Sequence, residues 1–177
     1  VVCSHRHEDH AGWTPALGTE QILDRAGSFG PLQIEVRAAL HDTAGGTRAG
    51  LTRMIAIVGE GLRVVHAGDI AHWTPDDVAW LRAADVLLLP AGGTYTLDGP
   101  QAAALAREVA ARWTVPMHCR DPRVDLPLAD VADFAAAWGA PAFAIMGFWT
   151  VGGGITPSRP CQQPGPRGQY PYRSASL

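Results

Sequence analysis

One recurring event constrains this chain more than any other: apolar runs of strand length that stop at a histidine or an aspartate. VVCS runs into His5, His7, Asp9 and His10; QIEVRAAL stops at His41; LRVV stops at His66 and leads to Gly68-Asp69; WTVPM stops at His118. Ile34, Val36, Ala38 and Leu40 alternate with the period of a strand. DVLLLP (85–90) is a near-continuous apolar run, the mark of a strand covered on both faces. Arg53 to Val58 and Leu62 to His66 flank Gly59-Glu60-Gly61 and predict a hairpin. Helical signals lie between these runs. Thr74-Pro75-Asp76-Asp77 supplies a capping threonine, a proline at the first helical position and acids in the first turn. Asp98 caps an alanine-rich helix reaching about Ala111, and a last helix near Leu128 to Trp138 precedes a strand near Ala142 to Met146. Strands alternating with helices predict a layered α/β domain, with the polar strand ends gathered at one sheet edge.

The first of these ends carries the chemistry. His5, His7, Asp9 and His10 spell H-x-H-x-D-H, in which His5 and His7 project to the same side of an extended segment and Asp9 and His10 come next, at the turn. Polar groups beside a core need partners, and a metal satisfies all four at once. The geometry can hand two ligands to one ion and two to a neighbour. Imidazole nitrogens with carboxylate oxygens suit zinc, iron or manganese, and the lack of thiolates in the cluster argues against a closed structural zinc site.

The rest of the composition excludes more than it selects. A length of 177 residues with 47% hydrophobic content supports one globular domain. Fourteen basic against seventeen acidic residues give a net charge of −3, which advertises neither nucleic acid nor a membrane surface. A small-molecule substrate is the partner this leaves, and oligomeric state is unreadable. Cys3, Cys119 and Cys161 lack C-x-x-C spacing and fit free thiols in a reducing, cytoplasmic setting. No apolar run reaches membrane-spanning length. From Gly152 onward the chain is rich in Gly, Pro, Gln, Arg and Ser, so the expected organisation is a domain over 1–150 and a disordered tail over 151–177.

Five blocks in order, SHRHEDHAG, HDTAGG at His41, HAGDIAH around Asp69, LLLPAGGTYTLD at 87–98 and VPMH ending at His118, resemble the metallo-β-lactamase-fold hydrolases. Within them they are similar to the branch of L-ascorbate-6-phosphate lactonase. The resemblance implies an αββα sandwich and two divalent metal ions, zinc first, with manganese or iron as alternatives. It implies that His5, His7 and His41 hold one ion, that Asp9, His10 and His118 hold the other, and that Asp69 bridges them. Such ions sit about 3.5–4 Å apart around a hydroxide that attacks a small ester, lactone, amide or phosphoester. Asp9 then also orients the nucleophile, and His72 or Tyr95 is a candidate to protonate the leaving group.

Taken without the family, several of these residues have plainer readings. His41 is an exposed turn histidine, Asp69 a turn acid and His118 a satisfied core histidine. His66 either orients a ligand or packs, and His72 either faces the substrate mouth or packs. Asp42 is either a carboxylate behind His41 or a solvent-exposed acid. Gly92 and Gly93 either let the backbone approach a substrate touched by Thr94 and Tyr95 or form an ordinary turn. Trp13, Trp73 and Trp149 read as core or rim packing. Relatives carry N-terminal strands ahead of H-x-H-x-D-H, and the expectation is that this chain lacks them. Cys119 stands where tyrosine is frequent. Two other functions compete with hydrolysis: a metal-binding module without turnover, and a nuclease of the same fold. The second needs a basic surface, and Arg159, Arg167 and Arg173 are too sparse to make one.

Overall fold

A computed structural model describes residues 2–5, 25–123 and 125–139. Six strands, β1 (Gly27–Phe29), β2 (Leu32–Leu40), β3 (Leu51–Gly59), β4 (Leu62–His66), β5 (Val86–Pro90) and β6 (Trp113–Met117), lie in one sheet in chain order. Helix α1 (Pro75–Leu81) follows β4, α2 (Gly99–Val109) follows β5 and α3 (Val131–Trp138) follows β6. The first four strands are antiparallel, and β4, β5 and β6 are parallel because a helix carries the chain back between them. The mixed α/β class expected from the alternation is what forms. The second sheet of an αββα sandwich is not among the described residues, nor are the strand expected at 142–146 and the tail at 151–177.

Local chemistry accounts for most boundaries. The β3–β4 hairpin turns at Glu60 and Gly61, both with positive φ. Thr74 caps α1: its Oγ1 accepts the Asp77 N–H while the Asp77 carboxylate accepts the Thr74 N–H, a reciprocal capping box. Asp98 and Gln101 repeat that device on α2. This helix stops at Val109, before the expected Ala111, because Ala110 turns into the left-handed region. Helix α3 starts at Val131 rather than near Leu128, since Asp130 is its cap and the Ala129 N–H is committed to Gly92 O. Of the strand expected over Val1 to Ser4, the described residues 2–4 form less than a strand: Val2 makes a single bridge, and Ser4 O accepts the Arg53 N–H at 2.9 Å.

The core lies on one face of the sheet. Met54, Ala56, Val65, Leu87 and Leu89 are fully buried there against Val78, Leu81, Ala102, Leu105, Ala106 and Phe134 of the helices. Burial of this kind, about 1.5–3 kcal/mol for each large side chain, supplies most of the driving force. Glu35 and Arg37, on the same face of β2, reach ion partners instead: Arg63 pairs with Glu35 at 2.6 Å and lies over the Trp80 ring, and Arg37 pairs with Asp77 at 2.8 Å. Two expectations change as a result. Ile34, Val36, Ala38 and Leu40 do share a face, but near the end of β2 it is Ala39 that is buried, because the helices cover the other side. In DVLLLP, Leu87 and Leu89 are buried while Val86 and Leu88 are half-buried, and no described helix packs on their face. No helix among the described residues is long and apolar enough to cross a membrane.

Candidate metal centre

Because β2 and β4 both run antiparallel to β3, the C-terminal ends of β2, β4, β5 and β6 share one edge of the sheet, and β3 begins there. His41 is the first residue after β2, His118 the first after β6, and Asp69 lies three residues beyond β4. His5 reaches the same edge through the Ser4–Arg53 hydrogen bond. The result is a convergence of four side chains. The Nε2 atoms of His5, His41 and His118 lie 3.7, 3.8 and 3.5 Å from one oxygen, Asp69 Oδ2. His5, His41 and Asp69 are each at most 4% exposed, and the His118 side chain is 13% exposed.

Those distances test whether the donor set suits a cation. Direct N–H···O hydrogen bonds have a mode of about 2.9–3.0 Å, so each contact is about 0.5 Å or more too long. Donors bound tetrahedrally at about 2.0–2.1 Å from a shared zinc stand roughly 3.3–3.4 Å from one another, close to the observed separations. His5, His41 and Asp69 offer ligand atoms that all lie within 4.8 Å of each other. Buried nitrogen and carboxylate donors fit a divalent ion of the zinc, manganese or iron type.

The turns that carry these candidate ligands are tied to each other. Ser4 Oγ lies 3.0 Å from His5 Nδ1, which leaves Nε2 as the nitrogen turned toward Asp69. The His5 and His41 rings meet edge to face at 4.8 Å. Ala71 N–H donates to Leu40 O, linking the Asp69 turn to the residue before His41, and Leu97 N–H donates to Ile70 O. Behind His41, Asp42 gathers the loop that joins β2 to β3. Its Oδ1 accepts the N–H groups of Ala44 and Gly46 and its Oδ2 those of Arg48 and Ala49, at 2.7–2.9 Å. These donors, Ala49 foremost, outweigh the cost of burial and lower its pKa to about 2. Asp42 is therefore not the solvent-exposed acid: it is a buried carboxylate beside His41 that clasps the following loop.

Gly92 carries a backbone contact not expected from the sequence: a Cβ at this position would overlap the carbonyl oxygen of His118, so the glycine admits the turn at His118. His118 itself has φ +52°, a left-handed turn that ends β6 at Met117. Thr94 Oγ1 donates to Pro127 O, which commits that hydroxyl to the loop after β6. Tyr95 is 48% exposed and His72 is exposed, each on a loop at the site edge. His66 Nδ1 accepts the Gly68 N–H at 3.0 Å, a contact that shapes the turn leading to Asp69. Trp73 packs against the core. Cys119 is a half-buried free thiol, and burial, with the Asp130 charge beside it, pushes its pKa up. His7, Asp9, His10, Trp13 and Trp149 lie outside the described residues. Sequence reasoning missed Ser4 and Thr52, the latter accepting the Asp69 N–H. A small polar residue before a ligand was the visible signal at Ser4; Thr52 gave none.

A mixed sheet with buried histidines around one aspartate at its C-terminal edge defines an α/β protein with a candidate metal site. Residues 1–118 match the beta-lactamase superfamily domain, and the chain belongs to that family. It is 37% identical over 146 residues to a UPF0173 metal-dependent hydrolase of Methanoculleus marisnigri, covering 67% of this chain and 64% of that protein. It also resembles a Thermotoga maritima structure assigned as a zinc-dependent hydrolase of the metallo-beta-lactamase superfamily. That match has 31% identity and a TM-score of 0.57, over 66% of this chain and 58% of that one. The metallo hydrolase Igni18 of Ignicoccus hospitalis shares the fold, with a TM-score of 0.54 at 24% identity over 68% of this chain and 63% of that one. The chain thus spans less than two thirds of the length of these relatives.

Proposed function

We propose that this chain is a metal-dependent hydrolase that holds two divalent cations and cleaves a small ester, lactone, amide or phosphoester. The observation that carries the reading is the placement of three imidazole Nε2 atoms within 3.5–3.8 Å of a single buried carboxylate oxygen. His5 and His41 belong to the set proposed for one ion, together with His7. His118 belongs to the set proposed for the other, together with Asp9 and His10. Asp69, facing members of both sets, is suited to bridge them. Zinc is the first choice of metal, and the oxygen bridge also tolerates manganese or iron. Two cations held this way would bring the pKa of a bound water toward roughly 7 and would stabilise negative charge developing on the substrate.

The chain's own groups then divide the work. Asp9 orients the attacking water, the Ser4 contact holds the His5 ring, and the clasp at Asp42 orders the loop that follows His41. His72 and Tyr95, exposed at the site edge, are the side chains proposed to donate a proton to the leaving group. The test is a substrate screen of zinc-loaded, manganese-loaded and chelated protein on nitrophenyl esters, nitrophenyl phosphodiesters and lactones. L-ascorbate-6-phosphate lactone belongs in the panel because the five sequence blocks resemble its lactonase. Turnover should appear only in the metal-loaded protein and vanish in Asp69→Ala. A folded, metal-loaded chain inert on every class would favour the binding-module reading, and undiminished turnover in Asp69→Ala would overturn the assignment.

A further inference from the structure

We propose that Thr52 is a positioning residue of the metal centre, its hydroxyl holding Asp69 while the next residue, Arg53, holds the His5 turn, so that one short piece of β3 sets the spacing between two ligands. The inference rests on the metal-site reading above. Thr52 is fully buried on the helix-covered face of the sheet, in line with Met54 and Ala56. Packing alone would be served as well by valine, which has the same shape, and a buried hydroxyl is costly unless it is hydrogen-bonded. Its Oγ1 accepts the Asp69 N–H at 3.1 Å. That bond fixes the backbone from which the Asp69 carboxylate projects.

Two further contacts bear on the same stretch. A Cβ at Gly68 would come within 2.5 Å of both Thr52 Oγ1 and Arg53 O, so the turn before Asp69 is pressed onto β3 with no room for a side chain. Gly68 also has φ +63°, which favours glycine for a second reason. From the other direction, the Arg53 N–H donates to Ser4 O at 2.9 Å, and Ser4 Oγ contacts His5 Nδ1 at 3.0 Å. The 3.7 Å separation of His5 Nε2 and Asp69 Oδ2 is therefore spanned behind the site by two consecutive residues of one strand. Groups that orient metal ligands in this way typically control affinity by about 10–100-fold.

The test is zinc affinity of the full chain, measured by competition with a chromophoric chelator, for the parent, Thr52→Val, Thr52→Ser and His41→Ala. Melting of the metal-free proteins is followed alongside. Thr52→Val should weaken binding by about 10–100-fold, Thr52→Ser should restore it, and His41→Ala should weaken it as well. If Thr52→Val does not fold, Thr52→Ala removes the same hydroxyl without adding bulk and takes its place. Parent-like affinity in Thr52→Val, or equal loss in Thr52→Ser, would overturn the proposal while a weakened His41→Ala kept the metal reading standing. A parent that takes no zinc, or a His41→Ala that binds as the parent does, would instead sink the metal reading, and the role of Thr52 with it.

Discussion

Replacing Gly92 with alanine should damage both the fold and the metal centre, by an amount set by the backbone that its missing side chain admits. An alanine Cβ would overlap the His118 carbonyl oxygen and come within 3.0 Å of His118 C and 3.3 Å of Cys119 Cα. All three are backbone atoms, so no rotamer change relieves the clash and the loops after β5 and β6 must separate. Two hydrogen bonds hold them together, Ala91 N–H to Met117 O at 3.0 Å and Ala129 N–H to Gly92 O at 2.8 Å. Overpacking of this kind costs about 1–3 kcal/mol, and each bond lost adds about 0.5–1.5 kcal/mol. The sum is roughly 2–6 kcal/mol, or a fall in Tm of about 4–24 °C for a chain of this length. His118 would move with its turn, so zinc affinity should fall as well. Gly27→Ala is the control: nothing lies within 4 Å of its added Cβ, and its melting should match the parent. The assay is thermal unfolding monitored by circular dichroism, with and without zinc. A Gly92→Ala protein that melts within a degree or two of the parent and binds zinc equally well would refute the reasoning.

Leu89 is fully buried on the helix-covered face of β5, so Leu89→Ala should cost about 2–5 kcal/mol in chemical denaturation without altering metal stoichiometry. Asp77 should contribute an acid-sensitive increment. Burial raises its pKa, but hydrogen bonds from Arg37 and Thr74 outweigh that and leave it below the ordinary value of 3.8. Its stabilisation is therefore present above about pH 4 and lost as pH falls through the lowered pKa. Asp77→Asn should be about 1 kcal/mol less stable at pH 7 and show a flatter loss of stability below pH 4.

Much of the fold was legible because its signals are local. Thr74 and Asp98 announce helices through side chains that bond their own first turns, and Glu60-Gly61 announces a hairpin through backbone preference. The positions of His41, Asp69 and His118 at strand ends could be read for the same reason, since a strand of known direction delivers the residues beyond its C-terminus to a known edge. The features that escaped were set by tertiary contact. Thr52 looks like strand filler until the Asp69 N–H is seen against it, and Gly92 looks like a turn glycine until His118 is seen behind it. Asp42 bonds to backbone groups two to seven residues ahead, which an aspartate opening a glycine-rich loop does suggest. Ala129 could not be excluded from α3 by propensity, because its N–H is claimed by Gly92, far earlier in the chain.

The central claim is that the edge where β2, β4 and β6 end is a metal centre, and the most direct measurement is the metal content of the purified, zinc-supplemented chain by elemental mass spectrometry, set beside Asp69→Ala. The account predicts about two equivalents in the parent, with a clear loss in the variant while its circular dichroism stays that of a folded protein. A parent that is folded by the same criterion and carries no metal after supplementation would contradict it.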